Sequence, residues 1–338
     1  MLLKPAIKDT ELLHKIFTTD YESFNETAIS VFWFQYQHNK VYRQYCNSLN
    51  IKVEKINQVT EIPFLPISFF KTHTIVSGQF NPAAIFESSG TTQSINSKHF
   101  VKDLSVYEKS FLTNFILEYG PVNDYCIIGL LPSYLERKNS SLVMMVNKLI
   151  DDSNHPQSGF YLNEFEKLQQ VLTELEKQQQ NTLVIGVTFA LLDFAEQYPV
   201  KLKHSIVMET GGMKGRRAEM TRQQVHEILS NAFQQKNIHS EYGMTELLSQ
   251  AYSKGNGIFN TPQWMKILIR AEDDPFQIID KHESNIISGV INIIDLANLY
   301  SCSFIATDDA GKLYPDGSFE VMGRLDNSDI RGCSLLAL

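Results

Sequence analysis

Residues 87–98 read ESSGTTQSINSK, a run in which the hydroxyl side chains of Ser88, Ser89, Thr91 and Thr92 surround a single glycine, Gly90. Glycine lets the backbone approach an oxyanion closely, and hydroxyls add donors to main-chain N–H groups turned inward. The stretch therefore reads as a cradle for phosphate oxygens. It is not a Walker loop, because the pattern GxxxxGK[ST] is absent. Ser, Thr and Gly also build ordinary loops, so the meaning of this one depends on its company.

Outward from the cradle, short apolar runs alternate with amphipathic helices. Ala83 to Phe86, Tyr125 to Leu130, Thr182 to Val187 and Ser205 to Glu209 read as strands, an α/β arrangement. Residues 105–108 (SVYE) and 221–224 (TRQQ) fit the capping box that opens a helix. Between 162 and 179, Phe165, Leu168, Leu172 and Leu175 fall at three- and four-residue spacing, a stripe that belongs to the core. Residues 1–60 read as a helical segment whose Phe24, Val31, Phe32, Phe34, Tyr42 and Tyr45 form a broad apolar stripe. In 62–71 (IPFLPISFFK) two prolines stop a helix and force extended backbone before a strand. Beyond Glu246, Trp264 to Ala271, Phe276 to Ile279, Gly289 to Asp295 and Ser303 to Ala306 read as strands of a smaller β-rich subdomain beginning near 247. Residues 61–338 are expected to form one continuous module, since neither an internal repeat nor a long linker divides them.

Composition narrows the class. The 338 residues carry a formal net charge of −8 with 43% hydrophobic and 20% charged residues, the balance of a globular protein and not of a phosphate-backbone binder. No nucleic-acid partner is expected. The N-terminus lacks the pattern of a secretory signal and the apolar runs are too short to span a membrane, so a cytoplasmic protein is expected. Cys46, Cys126, Cys302 and Cys333 are scattered without a CxxC pair, which argues against structural zinc.

Four further stretches follow the cradle in order. ETGG (209–212) places glycines at the end of a strand, where open α/β sheets put ligands; read alone it is equally a tight turn. EYGMTE (241–246) offers an aromatic ring, a hydroxyl and a carboxylate, groups suited to a base and to Mg²⁺. ATDDAG (306–311) supplies acids suited to a ribose diol, and GRLD (323–326) an arginine suited to hydroxyls or phosphate.

Together and in this order, these stretches resemble the adenylate-forming superfamily of acyl-CoA synthetases, peptide-synthetase adenylation domains and luciferases. The resemblance implies the layered α/β N-terminal domain of those enzymes, with ATP and Mg²⁺ as cosubstrate and metal. It implies that Ser88, Ser89, Gly90, Thr91 and Thr92 hold the ATP phosphates, that Thr245 meets the α-phosphate and that Glu246 holds the magnesium. Gly211, Gly212, Tyr242 and Gly243 would border adenine, Asp308 would bind the ribose hydroxyls, and Arg324 would lie close to them. Gln93 stands where the family has a glycine. The superfamily continues past GRxD into a mobile domain bearing a catalytic lysine, whereas this chain ends at Leu338. Lys98, Lys214 and Arg217 are stand-ins among which the sequence does not choose.

Within the superfamily the chain is most similar to the acyl-protein synthetases of bacterial bioluminescence, part of the fatty acid reductase complex. IPFLP (62–66), LPSYLER (131–137), SSLV (140–143), GGMKGR (211–216) and the terminal IRGCSL (330–335) carry that likeness. The family holds its acyl group as a thioester on a cysteine near the C-terminus, and Cys333 matches in place. A mobile terminal thiolate is a reasonable nucleophile, and Arg331 beside it would favour ionisation; the alternative is a cysteine packed under the last strand. The activity implied is ATP-dependent activation of a carboxylic, chiefly fatty, acid and transfer of its acyl group to a cysteine thiol, with an acyl-accepting reductase or carrier protein as partner. A phenylacetate-type acyl- or aryl-CoA ligase and a catalytically silent nucleotide-binding scaffold are the rival readings.

Overall fold

The structure is a computed structural model and describes residues 8–88, 95–131, 139–162, 164–212, 217, 218, 220–279 and 285–325. Its helices are α1 (Asp9–Phe17), α2 (Phe24–His38), α3 (Lys40–Ser48), α4 (Phe69–Thr72), α5 (Leu104–Tyr119), α6 (Ser141–Ser153), α7 (Phe165–Lys177), α8 (Thr188–Gln197) and α9 (Arg222–Phe233). Its strands are β1 (Leu65–Pro66), β2 (Ala84–Glu87), β3 (Lys98–Val101), β4 (Cys126–Leu130), β5 (Gly159–Phe160), β6 (Thr182–Val187), β7 (Ser205–Thr210), β8 (His239–Tyr242), β9 (Ala251–Ser253), β10 (Ile258–Asn260), β11 (Met265–Arg270), β12 (Ile287–Asp295), β13 (Phe304–Leu313) and β14 (Phe319–Arg324).

The large sheet runs in the order β11-β12-β13-β14-β10-β9-β8-β7-β6-β4-β5, with β1 pairing β13 at its side, while β2 and β3 form a separate two-stranded sheet. Strands β5, β4, β6, β7 and β8 run parallel, linked by helical crossovers, and β6 is buried along its whole length, which is why Thr182 to Val187 reads as an unbroken apolar run. From β8 onward the ladders along this path are antiparallel, and only the short β1 runs parallel to its neighbour, β13. The strand-rich part beyond Glu246 is thus hydrogen-bonded edge to edge with the parallel half through β8 and β9.

The helices sit where their apolar faces dictate. On α7, Leu168, Leu172 and Leu175 are all buried. On α2 and α3, Phe32 and Tyr42 pack against Phe304 of β13, at 6.3 and 6.1 Å between ring centroids. This seats the N-terminal helices on the antiparallel half. Gln35, fully buried, ties the same surfaces by donating to Asn298 O and Ser303 Oγ, both at 3.0 Å.

Four local expectations need correction. Helix α5 is capped by Asp103, whose carboxylate accepts from Ser105 N at 2.9 Å, so Ser105 lies inside the helix and not at its cap. The second capping box stands, with Thr221 and Gln224 bonded reciprocally. Phe276 to Ile279 makes only an isolated bridge, Arg270 to Ile278, because Asp274 turns the chain there by accepting from Phe276 N. The prolines of 62–71 leave only the two-residue β1, and Phe69–Thr72 follows it as helix α4. The run from Ser303 to Ala306 is the start of a longer strand, β13, ending at Leu313.

Candidate active site

The parallel register brings two of the sequence motifs together. Val187 of β6 pairs with Thr210 of β7, and Thr210 with Glu241 of β8. The chain leaving β7 at Gly211–Gly212 and the chain leaving β8 at Gly243 therefore emerge side by side at the carboxyl edge, where such sheets bind ligands. Gly211 has φ +75, a backbone region that a side chain would strain.

The cradle is the connection of a β-hairpin. Strands β2 and β3 pair with Glu87 opposite Lys98. Ser88 N donates to Ser97 O at 3.1 Å and Ser97 N donates to Ser88 Oγ at 2.9 Å, closing the neck of the loop. Ser89, Gly90, Thr91 and Thr92 lie outside the described residues. Ser97 lies close enough to Glu246 to pull its carboxyl down, which makes the neck a neighbour of the EYGMTE segment. Glu246 is 5% exposed; burial pushes its carboxyl up, with Ser97 and the charges of Arg324 and Lys71 pulling the other way.

The segment 243–250 connects β8 to β9, and side chains from three other elements pin it. His99 of β3 donates from Nδ1 to Thr245 O at 2.8 Å. Asn298 donates from Nδ2 to Glu246 O at 2.6 Å. Asp295, at the end of β12, accepts from Leu248 N, Ser249 N and Ser249 Oγ at 2.8, 3.1 and 2.6 Å. A backbone held at successive residues by buried partners presents Thr245 and Glu246 in one geometry, which is what orienting a phosphate demands.

On the far side of the segment, Tyr242 packs its ring against Phe319 and Phe259, at 5.5 and 5.9 Å. It is 9% exposed, so its structural role is packing, with the hydroxyl donating to Asp309 Oδ2 at 2.7 Å. Arg324 Nε reaches Asp309 Oδ1 at 3.3 Å while the rest of its side chain stays largely exposed. Asp308, the acid expected for a ribose, is exposed, and the structure joins the neighbouring Asp309 to Tyr242 and Arg324 instead. Successive strand residues face opposite sides, so a one-residue ambiguity in the Asp308–Asp309 pair decides which acid enters this network. Arg222 of α9 braces it from below, donating to Val321 O at 2.9 Å and lying 3.5 Å from Glu209, the residue that opens the ETGG turn. Burial works to raise the Glu209 carboxyl, but His226, Arg222 and Ser240 hold it below the ordinary value.

The lysine stand-ins separate clearly. Lys98 is half-exposed with Nζ 3.6 Å from Glu87, at the base of the hairpin loop. Arg217 is committed elsewhere, donating to Asp193 and to both carboxylate oxygens of Glu196 at 2.6–2.9 Å. Lys214 and Cys333 lie outside the described residues. The other three cysteines are buried, and burial pushes their thiols up: Cys46 to about 12, Cys126 to about 11, and Cys302 further. Asp309, Ser97, His99, Asn298 and Arg222 were not singled out from the sequence. The one available signal was His99 at an inward position of β3, where the strand pattern calls for an apolar side chain.

Residues 15–337 match a family model described as Acyl-protein synthetase, LuxE. The long-chain-fatty-acid–luciferin-component ligase of Aliivibrio fischeri is 24% identical over 333 residues, covering 90% of this chain and 85% of that protein. Among solved structures, 2-hydroxyisobutyryl-CoA ligase in the postadenylation state has a TM-score of 0.57 at 9% identity, covering 93% of this chain and 70% of that one. O-succinylbenzoate coenzyme A synthetase from Bacillus subtilis, in complex with AMP, has a TM-score of 0.49 at 15% identity. That alignment covers 74% of this chain and 63% of the other, so this chain spans less than two thirds of that enzyme. The fold is that of the N-terminal domain of adenylate-forming enzymes. With the family model matched over 15–337 of 338 residues, the chain belongs to the LuxE acyl-protein synthetases.

Proposed function

We propose that this chain joins a fatty acid to AMP at the expense of ATP and then passes the acyl group to a protein cysteine thiol, Cys333 being the first acceptor. The observation that carries the reading is the 2.8 Å bond from His99 to Thr245 O, which sets the neck of the 88–97 loop against the Thr245–Glu246 pair, beside the Tyr242–Asp309–Arg324 network. One side offers hydroxyls and main-chain N–H groups for phosphates; the other offers an acid and a guanidinium for a ribose.

In the first step a substrate carboxylate oxygen attacks the α-phosphorus of ATP and pyrophosphate leaves. Ser88 to Thr92 hold the phosphates, Thr245 faces the α-phosphate, and Asp309 with Arg324 receives the ribose that the resemblance assigned to Asp308. Gly211, Gly212 and Gly243 border the base. Glu246, a buried carboxylate at the end of the EYGMTE segment, suits Mg²⁺, which is commonly held by one or two carboxylates plus waters and phosphate oxygens. Bound there, the ion supplies positive charge to the phosphate oxygens. Lys98, at the base of the hairpin loop with Nζ 3.6 Å from Glu87, is the cation we assign to the phosphate side. In the second step the Cys333 thiolate attacks the acyl carbonyl and AMP leaves, forming a thioester that a reductase or carrier thiol can accept. Raised thiols make Cys46, Cys126 and Cys302 poor nucleophiles at neutral pH. Among the described residues no helix is long and apolar enough to cross a membrane.

Transfer of radioactive acid tests this. Wild type with MgATP should carry label released by neutral hydroxylamine, and Cys333→Ser should lose that label while keeping acid-dependent pyrophosphate exchange. Hydroxylamine-sensitive label at wild-type level in Cys333→Ser would overturn the acceptor assignment, and label recovered on coenzyme A instead of protein would favour the CoA-ligase reading.

A further inference from the structure

We propose that His99 is a positioning residue for adenylation, holding the Thr245 main chain so that Thr245 and Glu246 keep a fixed relation to the phosphate loop. The inference rests on the adenylation reading and adds a residue to it that no motif contains.

Lys98, His99 and the hairpin neck are consecutive in space, yet His99 bonds a residue 146 positions away in the chain, Thr245, at 2.8 Å. Its ring is 1% exposed and sits edge-on to Phe70 at 6.0 Å and to Phe86 at 6.4 Å. Apolar walls on both sides fix the ring plane, so the Nδ1–H direction is set by packing. The neighbouring Ser97 closes the loop neck, its N donating to Ser88 Oγ at 2.9 Å. Strand β3 thus holds the main chain of Thr245 through His99, while Asn298 holds the main chain of Glu246. The hairpin that carries the cradle forms its own two-stranded sheet, the segment that carries the acid connects β8 to β9 of the large sheet, and the His99–Thr245 bond joins them. Burial lowers the imidazole to about 4, so the ring is neutral across the working range and acts as a fixed donor, not as an acid or base.

A donor that only shapes the backbone has a distinct kinetic signature. Removing it loosens Thr245 and Glu246 against the loop, which weakens MgATP and the exchange step while leaving the site for the acid intact. His99→Phe keeps the ring volume and removes the donor; His99→Asn keeps an amide donor near the Nδ1 position. The measurements are calorimetric binding of MgATP and ATP–pyrophosphate exchange, with wild type, His99→Phe and His99→Asn side by side. His99→Phe should bind MgATP about 10-fold more weakly or worse, with an unchanged KM for the acid, and His99→Asn should recover most of the loss. Equal MgATP affinity in His99→Phe and wild type overturns the proposal. So does a loss shared equally by MgATP and acid, tracking a fall in Tm and not recovered by His99→Asn, which is the behaviour of a merely structural residue. Should His99→Phe fail to fold, the comparison of His99→Asn with His99→Ala decides on the same terms. If wild type binds MgATP but exchanges no pyrophosphate with any acid, the adenylation reading fails, whereas the binding comparison still decides the role of His99.

Discussion

The Tyr242 hydroxyl donates to Asp309 Oδ2 at 2.7 Å, and this bond ties the aromatic packing behind β8 to the acid that Arg324 also contacts. Asp309→Ala should therefore have two effects. It leaves a buried hydroxyl without its acceptor, which costs about 1–3 kcal/mol of stability, and it should lower pyrophosphate exchange by about 100-fold through loss of ribose orientation. Asp308→Ala, at an exposed carboxylate, should stay within about threefold of wild type by the ordinary behaviour of surface substitutions. Kinetics in which Asp308→Ala is the damaged variant and Asp309→Ala is normal would return the ribose to Asp308.

Glu246 is buried and its carboxyl is raised, so its ionised form is costly unless a cation neutralises it. Glu246→Gln should fold with an unchanged or higher Tm while the Mg²⁺ dependence of exchange is lost and the rate drops on the order of 100-fold or more. A wild-type magnesium titration curve in Glu246→Gln would remove it from the metal site.

Burial pushes the Glu241 carboxyl up to about 7, with the Thr210 hydroxyl that donates to it offsetting only part of the effect. A carboxyl whose folded value lies above its unfolded value of 4.5 favours the folded state while protonated, so this contribution is whole below 4.5 and is lost as pH rises through about 7. Glu241→Gln keeps an acceptor for Thr210 and has no charge to bury. It should match wild type near pH 4.5 and exceed it by on the order of 3 kcal/mol at pH 8. Chemical denaturation at both pH values reads the difference; a gap independent of pH would contradict the assignment.

Phe304 is fully buried on β13 against Phe32, Tyr42 and Phe64, the contact that seats the N-terminal helices. Phe304→Ala should destabilise by about 3–5 kcal/mol. A loss below about 1 kcal/mol would mean that those helices are held by something other than this cluster.

Much of the parallel half was legible because its signal is local. Thr182 to Val187 is read correctly to the residue, since a strand covered on both faces is apolar at every position. The capping box at Thr221 is equally local. Errors arose where a nearby competitor had the same chemistry. Asp103 caps α5 two residues before Ser105. The remainder was not legible at all, because bonds such as His99 to Thr245 and Asn298 to Glu246 join residues far apart in sequence with no spacing rule between them. What the motifs conveyed was the list of parts; the side chains that pin those parts together came only from the fold.

The central claim is that this chain makes an acyl adenylate, and acid-dependent exchange of labelled pyrophosphate into ATP measures that step alone. With Mg²⁺ present and fatty and aromatic acids supplied in turn, together with an acyl-accepting partner protein, exchange should rise well above the acid-free rate for at least one acid and vanish on chelation of the metal. Exchange no faster than the acid-free control with every acid, by protein that is folded, would contradict the account.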